Sequence, residues 1–175
     1  VIAAGRGSST LAMQRMPCDR DVLYGGTEED TISGAAADDV IIGEAGNDSL
    51  SGDDGEDLID GGANRDTLDG GADADVLYGG DDSDEIDGGN GAEYIEGGGG
   101  NDTLRGGSGV DTIWGGPEGD FIEGGDDGDF LFGEAGDDEI HGELGADSID
   151  GGTDSDLILV ADGVIGRPPQ PGVAG

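Results

Sequence analysis

The sequence contains no lysine, one cysteine, one histidine and few aromatic residues, and the scarcity of cysteine and histidine excludes several kinds of site. A single thiol, Cys18, excludes an internal disulfide framework and a cysteine-rich zinc site. A single histidine, His141, excludes both an HExxH metalloprotease site and a paired-histidine site. No GxSxG nucleophile elbow occurs, so the usual chemistry of lipases and serine proteases is not encoded here. We therefore expect this chain not to be an enzyme.

Long hydrophobic runs are also missing. No apolar stretch approaches the length of a membrane span, and residues 1–15 lack the apolar core of a signal peptide. We expect no insertion into a membrane. Because the chain starts at Val1 and stops soon after its regular part, we expect a fragment of a longer polypeptide.

Negative charge and glycine are what the sequence has in excess. The 175 residues include 43 Asp or Glu against six Arg, a net charge of −37, and 41 Gly. This charge excludes nucleic acid and anionic membranes as partners, because both are polyanions, and it indicates cations instead. Such a composition is also typical of disordered chains, so the order of the residues has to decide.

An acidic residue recurs every nine positions without an insertion or a deletion. Sixteen such positions follow one another, and fifteen of them hold Asp. They are Asp21, Asp30, Asp39, Asp48, Asp57, Asp66, Asp75, Asp84, Glu93, Asp102, Asp111, Asp120, Asp129, Asp138, Asp147 and Asp156. Two residues after each acid stands Leu or Ile, from Leu23 to Ile158, and four residues after it stands Gly, from Gly25 to Gly151. The unit is Gly-Gly-x-Gly-x-Asp-x-(Leu/Ile)-x, which residues 97–105 and 106–114 match fully.

This repeat resembles the RTX family, the hemolysin-type calcium-binding repeats of secreted bacterial proteins. The resemblance covers about four-fifths of the chain. It implies an all-β fold, a right-handed parallel β-roll or β-solenoid, with calcium in the six-residue loops. It also implies that the chain leaves the cell unfolded, through type I secretion as part of a larger protein, and folds outside the cell.

The spacing favours the same architecture on physical grounds. Gly adopts positive φ at little cost, so the loops can reverse the chain, and x-(Leu/Ile)-x suits a three-residue strand with its aliphatic side chain inward. Two units then make one coil, which gives about eight two-strand coils. At the fourth loop position Glu28, Ala37 and Glu118 replace the usual Gly, Asp or Asn, and we expect strained or looser loops there.

Calcium fits the predicted loops because it accepts six to eight oxygen ligands, including carboxylates and backbone carbonyls. One aliphatic residue per nine makes a thin core, and stacked Asp columns repel each other until a cation lies between them. Loops on one side are two repeat units apart, so we expect several ions, each between two such loops, and at most thirteen. The predicted ligands are the acids from Asp30 to Asp156, with carbonyls of Gly80, Gly89, Gly91, Gly98, Gly100, Gly107, Gly109 and Gly125. Loops 34–39, 43–48, 133–138 and 142–147 depart from the consensus, and weaker binding is expected there.

The outward positions of alternate strands differ in polarity. We number the predicted strands from the one that follows Asp21. Eleven of the sixteen outward residues on the odd-numbered strands are apolar or aromatic, against three of sixteen on the even-numbered strands. We call the first surface the apolar face and the second the polar face. The apolar face predicts contact with a neighbouring domain or with another copy of the roll, although general β-propensity also favours such residues. Its candidate contact residues are Tyr24, Ile42, Tyr78, Tyr94, Trp114, Phe130 and Phe132.

Three domains are predicted: a disordered or fragmentary segment 1–15, the roll at 16–160, and a Pro/Gly-rich tail or linker at 161–175.

The leading hypothesis is a structural calcium-binding module, secreted and extracellular. One alternative is the C-terminal repeat region of a secreted protease, lipase or toxin. Another is an ice- or surface-binding segment, since Thr31, Ser49, Thr67 and Thr103 align, but Glu85 and Phe121 interrupt that row. His141 lies at an outward position of the polar face, where a solvated surface residue is expected.

Overall fold

The structure, a computed structural model, describes residues 19–160 and the backbone of two short strands before them. These residues form β-strands and no helix. The strands are β1 Ile2–Ala3, β2 Thr10–Leu11, β3 Val22–Gly26, β4 Thr31–Ala36, β5 Val40–Ala45, β6 Ser49–Asp54, β7 Leu58–Ala63, β8 Thr67–Ala72, β9 Val76–Asp81, β10 Glu85–Asn90, β11 Tyr94–Gly99, β12 Thr103–Ser108, β13 Thr112–Pro117, β14 Phe121–Asp126, β15 Phe130–Ala135, β16 Glu139–Glu143, β17 Ser148–Asp150 and β18 Leu157–Leu159. The rest of segment 1–15, residues 16–18 and the predicted tail 161–175 lie outside the described residues.

The strands alternate between two parallel sheets. One sheet holds the odd-numbered strands in order from β1 to β17, and the other holds the even-numbered strands from β2 to β18. Each strand from β3 to β16 pairs with the strand two further on in a register of two repeat units, as in Ile86 with Leu104. The repeats from β3 to β18 therefore form eight two-strand coils of a parallel β-solenoid, and the predicted fold class is confirmed.

The strands are longer than the three residues predicted for them. Most run for six residues and continue through the first three loop positions, so that Gly89 pairs with Gly107 and Asn90 with Ser108. Glycine carries a full set of backbone hydrogen-bonding groups, so the Gly-Gly pair extends the ladder instead of ending it. The chain reverses over the few residues that remain before the next acid.

The core is a single file of aliphatic side chains between the sheets. Fourteen of the sixteen predicted core residues, from Leu23 to Ile140, are at most 2% exposed. Ile149 packs against this file but is only partly buried, as is Ile158 near the carboxyl end. The predicted inward orientation of the aliphatic residues is thus confirmed for all but the last coil.

The apolar face carries ordered aromatic pairs. Trp114 and Phe132 lie in register on neighbouring strands and stack with ring centroids 4.0 Å apart, and Tyr78 and Tyr94 meet at 6.2 Å. Phe130 remains 48% exposed. Within residues 19–160 and the two short strands, there is no helix with the length and hydrophobicity needed to cross a membrane.

Candidate metal centres between the coils

The repeat places its acids in two interior columns, one on each edge of the roll. Each acid directly precedes a strand, and its side chain turns inward instead of into solvent. The thirteen acids from Asp30 to Asp138 are at most 4% exposed. Asp147 and Asp156, in the last coil, are partly buried. All fifteen predicted ligand acids are therefore stacked at the two-unit spacing of the coils.

One carboxylate oxygen of each aspartate from Asp39 to Asp156 is held by the preceding coil. The backbone N–H of Asp84 donates to Oδ1 of Asp102 at 2.8 Å, and that of Asp102 donates to Oδ1 of Asp120 at 2.8 Å. We call each of these hydrogen bonds a rung and the series of them a ladder. Rungs recur along both columns, with N–O distances of 2.6–3.3 Å. Sequence reasoning missed this ladder, although the near-invariance of Asp over the longer Glu was a signal for it.

In eleven of these aspartates the other carboxylate oxygen has no protein partner. Oδ2 is buried and accepts no hydrogen bond in Asp39, Asp48, Asp57, Asp66, Asp75, Asp84, Asp102, Asp111, Asp120, Asp129 and Asp138. In Glu93 neither carboxylate oxygen has a partner. Buried polar atoms are nearly always satisfied, and leaving a charged one unsatisfied costs more than about 1–3 kcal/mol. A cation beside each of these oxygens would remove this cost.

A backbone carbonyl of the next coil shares the space beside each unpartnered oxygen. A Cβ added to Gly43 would lie 2.5 Å from Oδ2 of Asp48 and 2.5 Å from the carbonyl oxygen of Gly61. Gly61 opens the loop two repeat units later, on the same edge. We call the space between two stacked loops a gap. Each carboxylate therefore faces two gaps, with Oδ1 towards the preceding loop and Oδ2 towards the following one. Glycine at the first loop position keeps this space open.

Carbonyls of the second and fourth loop positions point forward to the following loop. A Cβ on Gly107 would overlap the carbonyl oxygen of Gly89, and one on Gly109 would overlap that of Gly91. Among the predicted carbonyl ligands, the same orientation is seen for Gly80, Gly89, Gly91, Gly98 and Gly107. The carbonyl of Gly125 accepts the N–H of Leu144 at 2.8 Å and has one lone pair left.

The second loop position requires a left-handed backbone, which the sequence analysis recognised only in part. Gly89 has φ of +96°, and non-glycine residues there are forced into the same region, with Glu44 at +75° and Asp53 at +72°. At the fourth position Ala37 at +94° and Glu118 at +78° show the strain expected of them, whereas Glu28 is not among the residues with positive φ. A side chain in this region costs of order 1–2 kcal/mol.

Burial raises the pKa of several column carboxyls. It brings the pKa of Asp57 and Asp66 to about 6 and that of Asp75 and Asp84 to about 7. The backbone rung lowers each pKa, and neighbouring carboxylates raise it again. Burial, followed by the adjacent Asp111 carboxylate, raises the pKa of Glu93 most strongly. Without a cation these carboxyls resist full ionisation, and a cation between them would reverse this effect.

Comparison with protein families agrees with this geometry. The model of the RTX calcium-binding nonapeptide repeat (4 copies) matches residues 19–50, 34–68, 51–86, 87–122 and 123–158. The chain belongs to this RTX family. The predicted family is thus confirmed across the described roll. No curated protein matches the RTX chain.

The donor set of this RTX roll fits calcium. The gaps between loops present carboxylate and carbonyl oxygens, the hard ligands that Ca²⁺ prefers. The acids of the columns supply negative charge, and the loop glycines leave room for close approach. The family is a structural, calcium-binding one, and the unpartnered Oδ2 atoms offer oxygen ligands of the kind that such an ion takes.

Proposed function

We propose that this chain is a structural module that folds when calcium binds between its stacked loops. The ligands are the acids from Asp30 to Asp156 and the loop carbonyls, with several ions per chain. The supporting observation is the column of buried Oδ2 atoms that have no protein partner. Without cations these carboxylates face one another across adjacent coils. With cations the same atoms link the coils, so that metal binding and folding are one process.

We propose further that the module works outside the cell, as part of a larger secreted bacterial protein, and without catalysis of its own. Loop sites of moderate affinity fill at the calcium concentrations found outside cells, where modules work with Kd of about 10⁻⁴–10⁻³ M. At the far lower calcium concentration inside a cell, the charge of −37 keeps the chain extended. An extended chain is the form that secretion requires.

Circular dichroism with and without calcium tests this function. At pH 8 we expect a disordered spectrum in chelator and a β-rich spectrum in calcium, with no comparable change in magnesium, whose stricter octahedral geometry fits the loops poorly. Calorimetric titration of the same sample counts the ions. An identical spectrum in chelator and in calcium would contradict calcium-dependent folding.

We also propose that the apolar face packs against a second copy of the roll. A strip of about 40 by 10–15 Å, paired with its copy, buries on the order of 1,000 Å², the lower range of specific interfaces. Its aromatic rows are already ordered, so little side-chain entropy is lost on contact. Each bound Ca²⁺ cancels two negative charges, which lowers the repulsion between copies.

A further inference from the structure

A histidine and two glutamates converge on the polar face, near the carboxyl end of the roll. β14 and β16 are neighbours, with Glu123 opposite His141 and Gly125 opposite Glu143. Gly125 has no side chain, so the Glu143 carboxylate has room beside it. One ligand atom from each of Glu123, His141 and Glu143 lies within 4.8 Å of the other two.

The imidazole of His141 is held in a defined orientation. Its Nε2 lies 2.9 Å from Oε1 of Glu139, while its Nδ1 lies 3.7 Å from Oε1 of Glu143. Phe121 packs on the ring with centroids 5.1 Å apart, and the side chain is only 21% exposed. A carboxylate accepts hydrogen bonds, so the neutral form of the ring carries its proton on Nε2 and its lone pair on Nδ1. A carboxylate that orients a histidine in this way is the usual companion of a histidine metal ligand.

Glu123 is held as well. Its Oε2 accepts the Nε–H of Arg105 at 3.0 Å, and Arg105 also contacts Oε1 of Glu85 at 3.1 Å. Ligating carboxylates are commonly fixed by such outer contacts. Glu123, Glu139 and Glu143 outweigh the single positive charge of Arg105, so the local field favours a divalent cation.

We propose that Glu123, His141 and Glu143 form a site for a first-row divalent transition metal such as zinc, separate from the calcium sites. One imidazole nitrogen and two carboxylate oxygens suit such an ion, whereas calcium prefers oxygen ligands alone. Metal–ligand bonds of about 2.1 Å place tetrahedral ligand atoms about 3.4 Å apart. The carboxylates of the two glutamates therefore have to move closer to the other ligand atoms by roughly 1 Å.

The site has an open side. A shallow cavity of about 280 Å³ adjoins it, lined by His141, Glu143, Leu159 and Val160. Three protein ligands beside an open space leave the fourth coordination position to water or to an external group. The arrangement is thus one that binds an ion at the surface, not one that encloses it.

The site depends on the folded roll, and in this respect it rests on the proposed calcium-dependent folding. Glu123 and His141 are two repeat units apart in the sequence and meet only when their coils stack. Dichroism of each sample first reports the folded state, independently of zinc. A failure of calcium-dependent folding is therefore distinguishable from a failure of the zinc site.

The test is a zinc titration of the full chain in excess calcium, which occupies the oxygen-only sites. We expect one zinc ion per chain, with affinity reduced at least tenfold in His141→Ala and about 10–100-fold in the positioning variant Glu139→Gln. Glu96→Gln, on the apolar face, is the matched control and keeps the affinity of the parent chain. His141 is the only histidine of the sequence, so long-range ¹H–¹⁵N spectra report on it alone. They should show Nε2 protonated and a zinc-dependent shift of Nδ1.

Equal zinc affinity in the parent chain and His141→Ala would overturn the site, as would an unchanged Nδ1 resonance in zinc. Zinc bound equally by an unfolded chain would overturn it too, because the three ligands are then not assembled. Loss of affinity in Glu96→Gln to the same degree as in His141→Ala would assign the binding to general acidity instead.

Discussion

At the scale of single residues, Gly109 and Gly91 come so close that only glycine fits. Gly109 has φ of +127°, and a Cβ there would overlap the carbonyl oxygen of Gly91 in the preceding loop on the same edge. We expect Gly109→Ala to lower the free energy of unfolding in calcium by at least about 2 kcal/mol, from backbone strain and displaced carbonyls. Denaturant titration in saturating calcium measures this.

Gly99→Ala is the matched control for that variant. Gly99 lies in the third loop position, has no positive φ, and offers a new Cβ nothing within 4 Å. Its replacement should leave the free energy of unfolding unchanged or raise it by about 0.4–1 kcal/mol. Equal losses in both variants would show that the loop is sensitive to any side chain, not to this close approach.

The two oxygens of one aspartate can be separated by a single substitution. Asp102→Asn keeps the Oδ1 that accepts the Asp84 N–H, but it replaces the unpartnered Oδ2 and removes the charge. Because this side chain faces two gaps, we expect calorimetry to show up to two fewer calcium ions per chain. Asp102→Ala should lose the rung as well and destabilise the calcium-loaded fold further. An unchanged ion count in Asp102→Asn would remove Oδ2 from the ligand set.

Residue types could be predicted from the sequence more readily than the roles of their atoms. The nine-residue period identified the acids and aliphatic residues, because burial and charge act on whole side chains. It could not show that Oδ1 of Asp102 serves the backbone while Oδ2 is left over, because that division depends on the distance between coils. The ring of His141 was expected in solvent, and its contacts with Glu139 and Phe121 come from neighbours on the folded sheet.

At the scale of the strands, pairing followed directly from the period. Two nine-residue units return the chain to the same sheet, so the two-unit register and the two faces were predictable. The strand length was wrong, because glycine was interpreted only as a turn residue. In the Gly89–Gly107 pair, glycine continues the pairing of the strands and also adopts the left-handed backbone conformation.

The apolar face gives an independent prediction at this scale. Replacing Trp114, Phe130 and Phe132 with Ser should convert a calcium-dependent dimer to a monomer, because the stacked Trp114–Phe132 pair is removed. Sedimentation velocity in calcium measures this, and dichroism checks that folding is retained. Replacing Thr31, Thr67 and Thr103 with Ala on the polar face is the control. A parent chain that is monomeric in calcium would rule out the second copy as the partner.

At the scale of the whole molecule, the raised pKa values predict opposite effects of pH with and without calcium. Burial raises the pKa of Asp75, Asp84, Asp120 and Asp129 to about 7, from an ordinary 3.8. Between these values the folded chain binds more protons than the unfolded chain, so stability in chelator falls as pH rises. We expect residual β-structure in chelator at pH 5 and its loss by pH 8.

In calcium the direction reverses, because protons compete with the ion for the same carboxylates. Stability should then rise from pH 5 to pH 8. Dichroism and denaturant titration at both pH values, with and without chelator, give the four measurements. β-structure in chelator that is constant or increases over this range would show that the columns are ionised in the folded chain without metal.

The rungs between the acids of successive coils restrict how such a chain can change its length. Inserting or deleting any part of a repeat unit inside the roll breaks the rungs on both sides of the change. Removing one whole unit keeps every acid in a column but exchanges the sheets for all later units, so their aromatic residues emerge on the opposite surface. Only steps of two units preserve both the columns and the two distinct surfaces. A roll of this kind therefore grows or shrinks by whole coils.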